Sequence, residues 1–502
     1  MRRRVTAQLL IPLDPAGGTT MQRQIYGGIR RAILERRVAP GTRLPSTRAL
    51  ASDLGVSRTT SLLALEQLKA EGYVAMRGGS GTYVATDLPD ESQRAATSRP
   101  AATGQHPPLS ARGTLLADAP AAAVRIPGPA RPFRMGTPAV DLFPTRLWSS
   151  LVHRQLRTLG PTGLDYGACH ALREAIAGYV AASRDTRCTA DQILVVAGAQ
   201  VGLDLLARVL LDAGDLAWLE EPGYTGARGA LLAAGARIVP VPVDHEGLDV
   251  EAGLRRARGA RLAYVTPSHQ FPLGVAMSLR RRLALLDWAS HARSWIVEDD
   301  YDSEFRYHNR PIPCLHGMDV DGRVIYVGSF SKTLFPSLRL GFLVVPPDLR
   351  ERMVLARRAL DLQPPRLEQA VLADFIGEGH FERHLRRMRG AYRERMEALR
   401  EGADRYCGGA LRMRPVLTGL HAVGDLSGAH DETVSEAAAA RGLEVTSLSS
   451  YYRGTPGEAP NGLVLGFGAV PPDGVLRGMR DLAIVLDRLH RTSDQARAGA
   501  IR

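Results

Sequence analysis

Gly328-Ser329-Phe330-Ser331-Lys332-Thr333-Leu334-Phe335-Pro336-Ser337-Leu338-Arg339-Leu340-Gly341 is the stretch on which the reading of the larger part of this chain turns. The apolar run Val324–Val327 leads into it, so a strand is expected to deliver the lysine into a turn of small hydroxyl residues. Ser329, Ser331 and Arg339 bring hydroxyls and a guanidinium to that turn, a set able to hold a phosphate near the lysine amine. Upstream, Glu298-Asp299-Asp300-Tyr301-Asp302-Ser303-Glu304-Phe305 closes a second apolar run with acids and a tyrosine. Acids at the C-terminal end of a strand suit open α/β sheets, which bind ligands there. The lysine is also rare, since Lys69 and Lys332 are the only two among 64 Lys and Arg. Arginine cannot supply a deprotonatable amine, so a lysine kept in such company points to chemistry.

Outward from this stretch, short apolar runs alternate with helical ones. Gln192–Val196, Leu216–Leu219, Arg237–Val241, Leu262–Thr266, Trp295–Glu298 and Val324–Val327 read as strands, and Val201–Leu211 and Leu279–Ala292 read as helices. That alternation predicts an α/β fold with a mostly parallel sheet covered by helices. The chain has 502 residues, enough for two or more domains, and 45% apolar with 23% charged residues excludes wholesale disorder. The four cysteines stand far apart with no Cys-x-x-Cys pair, which argues against a disulfide framework or a structural zinc. No metal site is expected, and the cysteine usage suits a reducing cytoplasm. No apolar run reaches the roughly 18 residues of a membrane span. Gly-x-Ser-x-Gly, His-Glu-x-x-His and Walker patterns are absent.

Charge divides the chain unevenly. Residues 1–86 carry 13 Lys/Arg and 5 Asp/Glu, giving +8 of the total +12. A small basic module ahead of a nearly neutral body is the electrostatic footprint of a nucleic-acid reader. Within it, Ile25–Leu34, Thr47–Leu54 and Arg58–Glu71 have helical spacing; Ser46 is an N-cap, and Gly55-Val56-Ser57 makes the turn between the last two. Ser57, Arg58, Thr59 and Thr60 gather donors at the start of the third helix, the end that enters a major groove. Tyr73–Met76 and Thr82–Ala85 flank Arg77-Gly78-Gly79-Ser80-Gly81 as a hairpin with a glycine-rich tip. Residues 87–130, rich in Ala, Pro, Ser and Arg, read as a flexible linker of about 35–40 Å r.m.s. reach. The expected domains are therefore 1–86, the linker 87–130, and 131–502.

The N-terminal residues resemble the GntR-type winged helix-turn-helix. The likeness runs from Pro40-Gly41-x-Arg43-Leu44-Pro45-Ser46, through Leu54-Gly55-Val56-Ser57-Arg58, to Glu71-Gly72-Tyr73 and Gly81-Thr82-Tyr83-Val84. The resemblance implies operator DNA as a partner, with Arg48 and Arg58 as the principal contacts and Ser57, Thr59, Thr60 and Arg77 beside them.

In the large module the residues offer what pyridoxal 5'-phosphate requires: an amine for the Schiff base, an acid for the pyridine nitrogen, a donor to the ring oxygen and a phosphate cup. The module resembles a fold-type I, class I aminotransferase, and the fused chain resembles the MocR-type subfamily of GntR regulators over nearly its whole length outside the linker. By that resemblance Lys332 is the Schiff-base lysine, Asp299 lies under the pyridine nitrogen and Tyr301 meets the ring oxygen. Ser329, Ser331 and Arg339 then bind the phosphate with Gly198-Ala199-Gln200, whose amides open a helix towards it. Tyr224 stacks on the ring, and Pro267-Ser268-His269-Gln270-Phe271-Pro272-Leu273-Gly274 lines its far side. Tyr166 reaches a neighbouring subunit's phosphate, so a homodimer is implied.

Three functions compete: a regulator sensing a small amine, an amino acid or the cofactor itself; an active aminotransferase with a DNA-binding appendage; and a DNA binder with an inert scaffold. The intact lysine, acid and cup disfavour the third. Aminotransferases usually hold the substrate carboxylate with an arginine where Val464-Leu465-Gly466-Phe467 here has valine. Arg453 is the candidate substitute. Loss of a bidentate anchor favours the regulator, with weak or absent transaminase turnover.

Overall fold

The computed structural model describes residues 11–14, 17–77, 81–88, 109–117, 128–164, 167, 169–307, 313–452 and 460–500. Contacts divide the chain into two units, Met1–Pro108 and Leu109–Arg502.

The first unit is three helices and a hairpin. Helix α1 (Met21–Leu34) starts behind Thr20, α2 (Thr47–Leu54) behind Ser46, and α3 (Arg58–Ala70) behind Ser57, each cap hydroxyl accepting a backbone N–H of the first turn. Such a bond satisfies one of the donors a helix start leaves open. Ile25, Ile29, Ile33, Leu50, Leu65 and Leu68 bury the facing sides, with Tyr73, Val74 and Val84 from the hairpin closing the core. Strands β1 (Val74–Arg77) and β2 (Gly81–Val84) pair antiparallel, as the wing reading expects.

In the second unit the central sheet has eight strands: β3 (Ile193–Val196), β4 (Leu216–Glu221), β5 (Arg237–Asp244), β6 (Gly247–Leu248), β7 (Leu262–Val265), β8 (Trp295–Asp300), β9 (Val324–Ser329) and β10 (Gly341–Val344). Their order is β3-β10-β9-β8-β7-β4-β5-β6. The run β9-β8-β7-β4-β5 is parallel throughout, so the predicted mostly parallel sheet is what forms. Helices cover both faces, which is why the strands read as unbroken apolar runs rather than alternating ones. Tyr326 and Phe342 point into one core cluster, while Ile325, Val327 and Leu343 point into the other.

Three features depart from the sequence expectation. β10 was not separable from the lysine stretch that precedes it, and it runs antiparallel to both neighbours, with Gly341 opposite Ser329 on one side and Val196 on the other. A second sheet of four short antiparallel strands, β11 (Leu411–Met413), β12 (His421–Leu426), β13 (Thr446–Ser447) and β14 (Gly462–Gly466), is ordered β11-β12-β14-β13. Strands of two to six residues give too little pattern to stand out in sequence. The interval expected as a linker also holds a helix, Ala111–Ala117, with no buried residue. Ala and Leu favour it, and Ser110 Oγ accepts the Gly113 amide at its start. Among the described residues, no helix is long and apolar enough to cross a membrane.

Candidate functional site

Strand β9 ends at Ser329, and the turn after it carries Lys332, half-buried. Ser329 Oγ accepts the Ser331 amide at 3.2 Å, which folds the hydroxyl turn back on itself. Lys332 Nζ donates to the Gly136 carbonyl at 2.7 Å. A Cβ on Gly136 would lie 2.5 Å from that nitrogen, and the residue sits at φ +59°, so only glycine leaves the amine its place.

Asp299 projects from the end of β8 and is buried. Its Oδ2 accepts the Tyr264 hydroxyl at 2.7 Å, whereas buried Oδ1 has no hydrogen-bond partner among the described residues. Burial, joined by the charges of Asp300 and Asp302, pushes the carboxyl from 3.8 up to about 7; the Tyr264 hydrogen bond and Lys332 oppose that rise. An acceptor left open in so dry a place is suited to one more N–H donor.

Across from the lysine, the helix Ala199–Leu210 begins after Gly198, which stands at φ +91°. A Cβ there would meet the Arg339 guanidinium at 3.2 Å, so the glycine lets a cation and the helix N-terminus share one concavity. Arg339 itself is exposed and donates from Nη2 to the Ala197 carbonyl at 3.0 Å. Gln200 turns its amide away to the Gly226 carbonyl at 2.8 Å, and the Tyr224 hydroxyl donates to its Oε1 at 3.3 Å. Tyr224 meets Phe271 edge to face with centroids 5.8 Å apart, and its burial raises the phenol to about 12. Phe271 also lies 6.0 Å from the Tyr301 ring and 5.2 Å from Tyr451. Val464, in the centre of β14, is fully buried against Val423 and Leu448.

The family model for aminotransferase class I and II matches residues 149–456, and that for bacterial regulatory proteins of the gntR family matches 21–84. The probable rhizopine catabolism regulatory protein MocR of Rhizobium meliloti is 41% identical over 478 residues, covering 94% of this chain and 95% of that protein. The chain belongs to the MocR-type GntR regulators. A second such relative, the HTH-type pyridoxine biosynthesis transcriptional regulator PdxR of Corynebacterium glutamicum, is 33% identical, with 93% and 96% coverage. Among solved structures, LysN, an α-aminoadipate aminotransferase of Thermus thermophilus complexed with N-(5'-phosphopyridoxyl)-L-leucine, aligns with TM-score 0.66 and 30% identity, covering 72% of this chain and 92% of that one.

Pyridoxal phosphate is the cofactor of this MocR-type chain, and the residues fit it. The partnerless Asp299 Oδ1 matches a protonated pyridine nitrogen, Lys332 supplies the amine, and the Gly198–Arg339 concavity matches a phosphate. The structure thus brings Lys332, Asp299, Tyr301, Ser329, Ser331, Tyr224, Ala199 and Arg339 onto neighbouring strand ends and loops of one sheet. Tyr166 and Arg453 lie outside the described residues. Sequence reasoning missed Tyr264 and Gly136. Tyr264 is an ordinary aromatic in a buried strand, and Gly136 is distant in sequence from the lysine whose amine it receives. In the first unit, Arg48, Ser57, Arg58 and Thr59 are exposed, while Thr60 is half-buried and shares its hydroxyl with Ser57 at 2.8 Å. Arg77 ends β1 before the hairpin tip.

Proposed function

We propose that this regulator senses a small amine or amino acid, or pyridoxal phosphate itself, through the large domain and reports it to operator DNA through the winged helix. Residues 1–86 read the operator with Arg48, Arg58 and the α3 N-terminus; 87–130 connect; 131–502 hold the cofactor. The observation that carries the reading is a cofactor site with its amine and acid in place, in a chain that puts the fully buried Val464 at the position where aminotransferases usually carry the anchoring arginine.

When bound, pyridoxal phosphate supplies an electrophilic carbon for amines and a ring that withdraws electrons while its nitrogen is protonated. The protein's own residues do the rest. Asp299 faces the ring-nitrogen proton with its open Oδ1, and the Tyr264 hydroxyl on Oδ2 keeps the carboxyl oriented and opposes the burial that disfavours its charge. Ser329, Ser331, Arg339 and the amides after Gly198 fix the phosphate, and the Phe271–Tyr224–Tyr451 edges exclude water from the ring face. A homodimer completes the arrangement, with Tyr166 serving the neighbour's phosphate and two winged helices serving paired half-sites.

The intact lysine and acid also favour a second reading, an aminotransferase carrying a DNA-binding appendage. One experiment separates them: the cofactor-loaded protein is mixed with a panel of amines and 2-oxo acids while absorbance, amino-group transfer and operator affinity are followed. The regulator reading expects a spectral change and an altered operator affinity with little transfer. Multiple turnovers at about 1 s⁻¹ or faster overturn it in favour of the enzyme.

A further inference from the structure

The loop between β7 and the helix Leu279–Ala292, expected to line the far side of the cofactor ring, carries His269, whose own ring is buried. Its Nδ1 lies 2.9 Å from Asp302 Oδ1 and 3.1 Å from the Tyr301 hydroxyl, which also lies 2.9 Å from the His269 carbonyl. Asp302 Oδ2 accepts the Leu420 amide at 3.2 Å. His421, from β12, tilts against the His269 ring with centroids 4.7 Å apart, and its Nε2 is 3.0 Å from the Pro272 carbonyl.

Donors and acceptors assign the hydrogens. A backbone carbonyl can only accept, so Nε2 of His421 carries its proton and the Tyr301 hydroxyl donates to the His269 carbonyl. Asp302 takes the Leu420 amide on Oδ2 and turns Oδ1 to the imidazole, which assigns the hydrogen between them to His269 Nδ1. That N–H faces the carboxylate and the phenol oxygen together. His269, Asp302 and His421 stand close enough to have held a metal ion, yet these hydrogen bonds already account for the cluster.

We propose that His269 is a positioning residue for Tyr301: clamped by Asp302, it donates Nδ1–H to the phenol oxygen, which holds the phenol in place while its single hydrogen turns from the His269 carbonyl to the ring oxygen of the cofactor, and strengthens it as that donor. A hydroxyl that accepts one hydrogen bond donates a better one. The inference rests on the reading that Tyr301 meets that ring oxygen. The ionisable groups facing Tyr301 are Asp299, Asp300 and Asp302 on its own segment, Glu220 from β4 and His269; Lys332 acts on Asp299, and His421 packs against His269. Burial, then Asp302 and the other acids, hold the phenol well above its ordinary 10, so it remains a donor.

The test is a pH titration of the visible band of the full-length protein loaded with pyridoxal phosphate. A donor to the ring oxygen lowers the pH at which the lysine–cofactor linkage loses its proton, so a weaker donor raises the midpoint. His269→Phe keeps an aromatic ring, a little larger, and removes the N–H; it is expected to raise the midpoint by about 0.5–1 pH unit, three- to tenfold in proton affinity. Tyr301→Phe should move it the same way, His269→Phe should add nothing on top of Tyr301→Phe, and His269→Asn, whose amide can replace Nδ1–H, should recover most of the shift. A His269→Phe protein with wild-type melting and an unmoved midpoint, beside a shifted Tyr301→Phe, overturns the role of His269 and leaves the cofactor site standing. An unmoved Tyr301→Phe overturns the placement of Tyr301 and the proposal with it. Should His269→Phe not fold, Asp302→Asn loosens the same clamp and must raise the midpoint, or the proposal fails.

Discussion

Asp299→Asn should make the cofactor-free protein more stable at pH 8 and less stable at pH 4. The carboxyl titrates near 3.8 in an unfolded chain and at about 7 in the fold. Between those values the native state keeps a proton that the unfolded chain has released, so stability falls as pH rises through the window and the loss is complete above about 7. A displacement of about 3 on the pH scale corresponds to roughly 4 kcal/mol. Asparagine avoids that penalty, but its amide puts a donor where Oδ1 now lacks a partner, at a cost of about 1–3 kcal/mol. The net expectation is a gain of about 1–3 kcal/mol at pH 8, and a loss of about 1–3 kcal/mol at pH 4, where aspartate is already neutral. Urea unfolding of the large domain, followed by tryptophan fluorescence at both pH values, measures the two differences. Equal differences at the two pH values would refute the reasoning, because the effect would then owe nothing to a buried charge. With pyridoxal phosphate present the order at pH 8 should reverse, since the ring nitrogen prefers the carboxylate.

Arg58→Ala should weaken operator binding by about 1–3 kcal/mol, read by fluorescence anisotropy, with the preference relaxed at one base pair; equal loss on every duplex would mark a phosphate contact instead. Gly198→Ala places a methyl 3.2 Å from the Arg339 guanidinium at a φ of +91°. It should lower the affinity for pyridoxal phosphate at least tenfold, about 1.4 kcal/mol, in an equilibrium titration, while Lys332 remains able to react with free pyridoxal.

Much of this architecture was legible because strand boundaries coincide with apolar runs. Leu279–Ala292 and Thr47–Leu54 form as read, and each strand named in sequence forms within a few residues of its expected span. Lys332 and Asp299 announce themselves by type and setting, an amine in an arginine-rich chain and an acid ending a strand. Partners across the fold did not. Tyr264 and Gly136 act on Asp299 and Lys332 from 35 and 196 residues away, and nothing in local periodicity encodes such a meeting. The second sheet escaped notice because β13 has only two residues and its pairing is entirely non-local. The helix at Ala111–Ala117 lay hidden in a stretch whose prolines and small residues dominate its average.

The antiparallel lie of β10 has a consequence for how such a chain can change length. One residue, Gly341, is in register with Ser329 on one side and Val196 on the other. Strands stand about 4.8 Å apart, so the lysine turn and the helix that opens after Gly198 hang from a single rung about 10 Å wide. A residue added or removed between Ser329 and Gly341 has to be taken up within that connection, displacing the amine against the guanidinium, or else slip the rung and turn every β10 side chain to the opposite face. Amine and phosphate cup would then lose their common spacing together. Away from Ser331, Lys332 and Arg339, a substitution in residues 330–340 alters one contact, whereas an insertion or deletion displaces the amine and the guanidinium together. The segment should therefore keep its length across relatives more strictly than it keeps its letters.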